Sequence, residues 1–422
     1  MASLPKPLQR VAGSTVVLSA TWVTLRVYAF LAGYDRLRYP HYPRAAWINS
    51  DVVLFASWAP KLGHFQFPTG DPRWQYPPGA GILLSIPQWM SAAFGFSYSQ
   101  AFQVLIALAD LALLVVLIYA GRKWAAPFNG LAGAWFWALA PLFVGPIMAA
   151  RFDTVVALTA VGGIVLLYAK RPTWAGAILG VGLMIKAWPA LMLAAAQRRD
   201  LARGVIGLII GVACVAAVGL FWDHSWSFIN NEVHRGIQIE SVAALPWVLR
   251  WWTGVVPHYQ YQFGALEIIS PYTHTVGIVC TLVGGALLLV LAALRLLGRL
   301  DHVAGVDVAY AALLVSVTTS RVYSPQYNLW LVAIGAAVLL DRRTRLRSVL
   351  WWIVGASIAG QIVYPIVYDA LLQGYGQGIA PQVVRIVCLV VATTIAYVKV
   401  VRAGFKPETQ TSDLDQLQQV AA

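Results

Sequence analysis

The polar stretch at residues 49–78 contains the side chains that are best suited to chemistry. It carries an acid at Asp51, a histidine at His64, the charged pair Asp71 and Arg73, and the turn Tyr76-Pro77-Pro78. A carboxylate that stays ionised among basic groups can act as a general base towards a hydroxyl group. Structural roles remain open as well, because an Asp at this position can cap a helix and a Pro-Pro turn can be purely structural.

Further charged and amide side chains recur along the chain at the ends of apolar segments. A bound phosphate group needs point charges or bidentate donors, which Lys and Arg supply. The structural alternatives are an ion pair between Arg151 and Asp153 at a tight turn, snorkelling of Lys186 towards the membrane interface, and anchoring of a helix end by Arg321. The candidates are Arg151, Asp153, Lys186, His234, Arg235, Gln238, Glu240, Arg321, Tyr323 and Gln326.

The composition indicates a polytopic membrane protein. Of the 422 residues, 59% are hydrophobic and only 11% are charged, and the mean hydropathy is +0.68. A soluble protein of this length would carry about 25% charged residues, so the polar surface is too small to cover a globule in water. The net charge of +13 comes from short basic clusters between apolar segments, which is typical of cytoplasmic loops. We therefore expect a lipid bilayer as a partner and no nucleic acid.

The basic clusters also predict the topology. Lys6 and Arg10 precede the first apolar segment and place the N-terminus in the cytoplasm. We count about 12 membrane helices, with both termini cytoplasmic and two long outer loops at residues 34–98 and 223–270. The segment 79–96, which contains Pro87, is expected to be a re-entrant or surface helix.

The segment 173–197 lies between two basic clusters and cannot cross the membrane only once. Its interruption at Lys186-Ala187-Trp188-Pro189 predicts a pair of short helices, with Lys186 at or near the outer end. Broken helices are tolerated where they line a cavity, and a lysine within the membrane suggests a functional role. Residues 1–404 are predicted to form one all-α transmembrane domain, followed by a disordered cytoplasmic tail at residues 405–422.

These motifs together resemble the GT-C class of integral-membrane glycosyltransferases, and most closely glycosyltransferase family 87. That family includes the polyprenyl-phosphate-mannose-dependent α-mannosyltransferases of actinobacteria. The features that carry the resemblance are, in chain order, Asp51, Tyr76-Pro77-Pro78, Arg151-Phe152-Asp153, GVGLMIKAWP at residues 180–189, RGIQIESV at residues 235–242, and Ser324-Pro325-Gln326-Tyr327.

The resemblance implies a GT-C-like bundle in which some helices are broken or re-entrant. It also implies transfer of a hexose, with mannose as the expected sugar, from a polyprenyl-phosphate donor to an envelope glycolipid or polysaccharide acceptor. The reaction would take place at the outer face of the plasma membrane, with inversion of the anomeric centre. No metal-ligand run is present, so we expect a metal-independent enzyme without a cofactor.

The resemblance also implies roles for individual residues. Asp51 would be the general base that deprotonates the acceptor hydroxyl. Lys186, Arg235 and Arg321 would bind the donor phosphate, and Arg151 and Asp153 are secondary candidates. Sugar or acceptor ligands would come from His64, Tyr76, His234, Gln238, Glu240, Tyr323 and Gln326.

Two other functions stay open on the sequence. A transporter or lipid flippase for an envelope precursor would favour inverted repeats and discontinuous helices at the bilayer midplane. The broken segment 173–197 fits such a protein in part, but no matching interruption occurs in a second half of the chain. A non-catalytic assembly partner in envelope synthesis would be expected to survive the substitution Asp51→Asn.

Overall fold

The computed structural model of the protein describes residues 5–33, 45–68, 70–124, 126–222, 226 and 235–405. The predicted ligand His234, the tail from residue 406 and parts of both predicted outer loops lie outside these ranges. The division into a domain at residues 1–404 and a tail at residues 405–422 therefore stays a prediction.

The first half of the described chain is helical. Short 3-10 helices at Pro146–Ala149 and Trp188–Ala195 interrupt the α-helical pattern. The α-helices are α1 (Lys6–Ala12), α2 (Thr15–Gly33), α3 (Ala45–Ile48), α4 (Ser50–Gly63), α5 (Pro78–Phe94), α6 (Tyr98–Lys123), α7 (Ala132–Ala138), α8 (Pro141–Val144), α9 (Asp153–Tyr168), α10 (Pro172–Leu183) and α11 (Arg198–Gly219).

The second half adds one β-hairpin to further helices. A 3-10 helix at Val242–Ala244 precedes α12 (Leu245–Trp252), and a π-helical turn occupies Ile362–Ile366. Strands β1 (Tyr259–Gln262) and β2 (Ala265–Ile268) pair antiparallel, with Tyr261 opposite Leu266. The remaining helices are α13 (Thr273–Leu296), α14 (Gly305–Thr318), α15 (Tyr327–Val338), α16 (Arg347–Gln361), α17 (Tyr368–Leu372) and α18 (Gly376–Gly404).

The helices have the lengths and composition of a membrane bundle. Within the described ranges six segments are long and apolar enough to cross a membrane: α2, α6, α11, α13, α18, and α16 together with its π-helical turn. Five shorter apolar segments accompany them, namely α7 with α8, α9, α10, α14 and α15. The prediction of an all-α membrane protein is thereby confirmed, whereas the count of about 12 crossing helices stays a prediction.

The core lies around α14 and α15, whose side chains are buried almost throughout. By contrast, only 17% of the apolar stretch in α11 and in α13 is buried. Apolar side chains that are exposed on long helices face lipid rather than water. The centre of the bundle therefore provides the rigid support, and α11 and α13 form part of its lipid-facing surface.

The basic clusters meet at one end of the bundle, which we call the basic end. There the Tyr168 hydroxyl donates to Asp341 over 2.8 Å, Lys170 Nζ donates to the Gln197 side chain over 3.2 Å, and Arg198 N donates to Asp301 Oδ1 over 3.0 Å. Helix α9 leads from Asp153 to Tyr168, and its 16 residues span about 24 Å. The first turn of α9 therefore lies far from the basic end.

Helices α10 and α11 pack closely through glycines. A Cβ atom added to Gly176 would lie 1.9 Å from the carbonyl oxygen of Gly204, and one added to Gly207 would lie 2.0 Å from that of Thr173. Small residues allow membrane helices to approach to backbone contact, where packing replaces the missing hydrophobic driving force. This close contact fixes α10, and with it the chain break at Lys186 that follows α10.

We expect Gly176→Val to destabilise the protein, because the added atoms would overlap the backbone of α11. The cost should be at least about 1–3 kcal/mol, the range for overpacked cores. The matched control is Gly162→Val on α9, since a Cβ atom there meets nothing within 4 Å. Thermal unfolding of purified protein in detergent measures the difference, and equal melting temperatures for the two variants would contradict close α10–α11 packing.

Candidate functional site

A cavity of about 480 Å³ lies at the end of the bundle opposite to the basic end. Its wall is formed by the start of α4, the turn before α5, the break after α10, the start of α15 and the tip of the β-hairpin. Of the residues predicted from the sequence, it brings together Asp51, Tyr76, Lys186, Arg235 and Gln326.

Asp51 lies in the first turn of α4, which begins at Ser50, so Asn49 and not Asp51 occupies the N-cap position of this helix. Its carboxylate pairs with the buried Arg151, and Arg151 Nε lies 2.9 Å from Asp51 Oδ2. Arg151 Nη1 also donates to the carbonyl oxygens of Ile48 (2.7 Å) and Ala150 (3.0 Å). The guanidinium therefore holds the carboxylate in a fixed orientation, while 27% of the Asp51 side chain stays exposed.

Lys186 lies in the gap between the end of α10 and the 3-10 helix that begins at Trp188. Its Nζ is 2.6 Å from Oδ1 of Asp153, and Trp330 Nε1 donates to the same oxygen over 2.5 Å. The ammonium group also lies over the rings of Phe152 (4.8 Å) and Trp330 (5.3 Å). Asp153 is 1% exposed, so this pair joins a fully buried carboxylate to a cation at the cavity wall.

Tyr76 is fixed by aromatic packing. Its ring lies 5.3 Å from that of Phe152, 5.6 Å from Trp74 and 6.3 Å from Phe55, each in an edge-on arrangement. Burial, together with the negative charges of Asp51 and Asp153, raises the pKa of the Tyr76 hydroxyl. Tyr76 therefore presents a protonated hydroxyl, which can donate a hydrogen bond to a ligand in the cavity.

A column of stacked aromatic rings lies beside Lys186. Trp188 stacks on Trp330 with 5.2 Å between ring centroids, and Tyr327 stacks on Trp330 at 3.8 Å. All three rings line the cavity. This column was not among the sites predicted from the sequence, although the spacing of Tyr327 and Trp330 by three residues places them on one helix face.

Arg235 is held by a residue that the sequence analysis also missed. Its Nε lies 3.8 Å from Oε1 of Glu267 on β2, and the backbone N–H of Gly236 donates to Glu267 Oε2 over 3.0 Å. The predicted phosphate ligand Arg321 does not line the cavity. Instead, Arg321 Nη1 donates to the carbonyl oxygen of Arg235 over 3.2 Å, and the N–H of Gln238 donates back to the Arg321 carbonyl over 3.0 Å.

Three further predicted ligands lie outside the cavity wall, in a buried polar network around Arg385 of α18. Arg385 Nη1 lies 2.5 Å from Glu240 Oε2, and Nη2 donates to the Tyr323 carbonyl over 2.8 Å. The side-chain oxygen of Gln238 accepts from the Tyr323 N–H over 2.9 Å. This network connects the segment that follows Arg235 to the turn that leads into α15. It therefore holds in place two parts of the chain that contribute to the cavity wall.

His64 also lies apart from the cavity. It is exposed at the end of α4, and its Nδ1 is 2.7 Å from the carbonyl oxygen of Pro60. Over the described ranges, no group of three or more His, Cys, Asp or Glu side chains has an arrangement that could hold a metal ion. The charged side chains that line the cavity are Asp51, Arg73, Lys186 and Arg235.

Fold and cavity together define a polytopic membrane protein with an enzyme-like site at one end of its bundle. The model of glycosyltransferase family 87 matches residues 74–266, a range that includes Tyr76, Lys186 and Arg235 of the cavity. This match supports the resemblance to family 87 and indicates a glycosyltransferase, and the long apolar helices indicate that it is a membrane protein. No curated protein and no solved structure matches the chain.

Proposed function

We propose that the protein transfers a hexose, expected to be mannose, from a polyprenyl-phosphate donor to an envelope glycolipid or polysaccharide at the outer face of the plasma membrane. The cavity carries this proposal, because it joins the carboxylate of Asp51 to the cations Lys186 and Arg235. A sugar on a phosphate already has a good leaving group, so the protein need only position the reactants, remove a proton and neutralise charge.

In the proposed mechanism, Asp51 accepts the proton of an acceptor hydroxyl. The acceptor oxygen then forms a bond to the anomeric carbon, and the bond from that carbon to the phosphate oxygen breaks on the opposite face, with inversion. The electron pair leaves with polyprenyl phosphate, whose developing charge Lys186 and Arg235 stabilise. Tyr76 donates a hydrogen bond to the sugar or the phosphate, and Gln326 lies at the same wall to bind sugar hydroxyls.

The orientation of the protein rests on its charges. Short basic loops stay in the cytoplasm, so the basic end is proposed to be cytoplasmic. The cavity then lies at the outer face, because α9, with 16 residues, separates the two ends by about 24 Å. The aromatic column of Trp188, Trp330 and Tyr327 adjoins Lys186 and offers an apolar surface beside a phosphate site, as a lipid-linked donor requires.

The proposal is tested by assaying sugar transfer with purified protein in nanodiscs. The assay combines polyprenyl-phosphate mannose, glucose, galactose or arabinose with an envelope lipid extract, with and without a chelator. We expect turnover with one donor, unchanged by the chelator. If no donor is consumed and labelled donor instead crosses the membrane of liposomes that contain the protein, the protein is a transporter and not a glycosyltransferase.

A further inference from the structure

The cavity wall around Asp51 contains residues that have no role in the transfer proposed above. Arg73 and Gln75 come from the loop before α5, and Tyr261, Phe263 and Gly264 come from the β-hairpin. We call Arg73, Gln75 and Tyr261 the rim. The column beside Lys186 belongs to α15 and the broken helix, so the rim and the column are built by different parts of the chain.

The rim is held in place by defined contacts. Gln75 Nε2 donates to the carbonyl oxygen of Phe263, which ties the tip of the hairpin to the loop. Phe263 and Gly264 form the two-residue turn with φ values of 48° and 75°, as a type I′ hairpin requires. Because the carbonyl of Phe263 accepts from Gln75, the tip is fixed at the wall of the cavity that Asp51 also lines.

The charge of the rim is balanced. Arg73 binds Asp71 in a bidentate manner, through Nε to Oδ1 (2.8 Å) and Nη2 to Oδ2 (2.6 Å). Trp58 Nε1 donates to Asp71 over 3.0 Å and holds that carboxylate from the other side. The Arg73 side chain is still 41% exposed. The rim therefore presents N–H donors without a net positive charge, which suits neutral hydroxyl groups better than an anion.

Tyr261 adds an exposed aromatic face. The residue is 60% exposed and lines the cavity. Partial burial and the negative charge of Asp51 raise the pKa of its hydroxyl, so this hydroxyl stays protonated and can donate a hydrogen bond. An aromatic ring that packs on the C–H face of a sugar, next to polar groups that bind its hydroxyls, is suitable for carbohydrate binding.

We propose that the rim is the subsite for a neutral saccharide acceptor, which enters from the aqueous side and delivers its hydroxyl to Asp51. This inference rests on the proposed function and names the acceptor chemistry of the same site. The sugar units can belong to a glycolipid headgroup or to a polysaccharide, since the rim would contact only the saccharide part of the acceptor. The donor occupies the part of the same cavity that Lys186 and the aromatic column line.

The kinetic test compares Tyr261→Ala and Tyr261→Phe with wild type, using the envelope extract separated into glycolipid and free polysaccharide fractions. Tyr261→Ala should raise the acceptor KM by roughly threefold to tenfold, the value of one aromatic contact, while the donor KM stays constant. Tyr261→Phe should stay closer to wild type because it keeps the ring. The fraction in which transfer is observed shows whether the acceptor sugar belongs to a glycolipid headgroup or to a free polysaccharide.

The matched control is Tyr272→Ala. Tyr272 is 68% exposed and does not line the cavity, so its loss should leave the acceptor KM unchanged. A change of the donor KM in Tyr261→Ala, or an acceptor KM equal to that of wild type, would overturn the proposed subsite.

A binding measurement makes the test independent of turnover. Saturation-transfer NMR on the protein in nanodiscs would use mannobiose and maltose, with a glucuronic-acid disaccharide as the charged comparison. Signals from a neutral disaccharide should fall in Tyr261→Ala and persist in Tyr272→Ala. If neither disaccharide shows a signal that depends on Tyr261, the subsite is wrong. A Tyr261-dependent signal in a protein that consumes no donor would instead refute the proposed function alone.

Discussion

Asp51→Asn is expected to lower the rate of sugar transfer by about 10²–10⁴-fold, the range that removal of a general base produces. The amide keeps the size of the side chain but cannot accept the proton of the acceptor hydroxyl. Because Lys186 and Arg235, and not Asp51, are proposed to bind the donor phosphate, the donor KM should change little. The measurement is transfer from the active polyprenyl-phosphate sugar at saturating acceptor, with donor affinity determined in parallel.

The control for this experiment is Asp369→Asn. Asp369 lies in α17 and does not line the cavity, so its neutralisation should leave transfer unchanged. Folding must be checked for Asp51→Asn, because the buried Arg151 loses its carboxylate partner. Arg151 keeps its bonds to the carbonyl oxygens of Ile48 and Ala150, which should preserve most of the local structure. A well-folded Asp51→Asn protein with wild-type turnover would show that another group is the base.

Lys186→Met is expected to abolish detectable transfer and also to destabilise the protein. The substitution removes a cation from the proposed phosphate site, and it leaves Asp153 charged at 1% exposure without its partner. Breaking a buried ion pair from one side costs about 3–5 kcal/mol. The single variant alone therefore cannot separate a structural role of Lys186 from a chemical one.

The double variant Lys186→Met with Asp153→Asn separates the two roles. The neutral amide that replaces the Asp153 carboxylate can still accept from Trp330 Nε1, so thermal stability in detergent should recover towards wild type. Transfer should stay absent, because the phosphate still lacks its cation. If the double variant regains both stability and transfer, Lys186 acts only as a structural partner of Asp153 and the phosphate is bound elsewhere.

The membrane architecture follows from local features of the sequence. Apolar segments of sufficient length, and basic clusters between them, depend on composition alone. The interruption at Lys186 was also predictable, because a lysine and a proline within an apolar segment disfavour a continuous helix. Asp51 lies where α4 begins and Lys186 lies at the break after α10, and both line the cavity together with Arg235.

Other features depend on packing between distant segments. Glu240 and Gln238 occur in a polar stretch that suggested ligand binding, yet both are buried. Glu240 pairs with Arg385, which lies 145 residues further along the chain, and Gln238 donates to Glu240. Arg385 sits in an apolar segment and gave no local signal of that partnership. The hairpin was also not evident from the sequence, because Phe-Gly is not one of the dipeptides that usually form a type I′ turn. The hydrogen bond between the tip of the hairpin and Gln75 is long-range.

The cations around the cavity affect how ligand binding depends on the salt concentration of the medium. Arg73, Lys186 and Arg235 each lie beside a carboxylate of their own, namely Asp71, Asp153 and Glu267. An empty site built from such pairs is close to electroneutral. It therefore does not need to bind mobile anions as counter-ions and to release them when a substrate binds. Occupancy should then vary little with ionic strength.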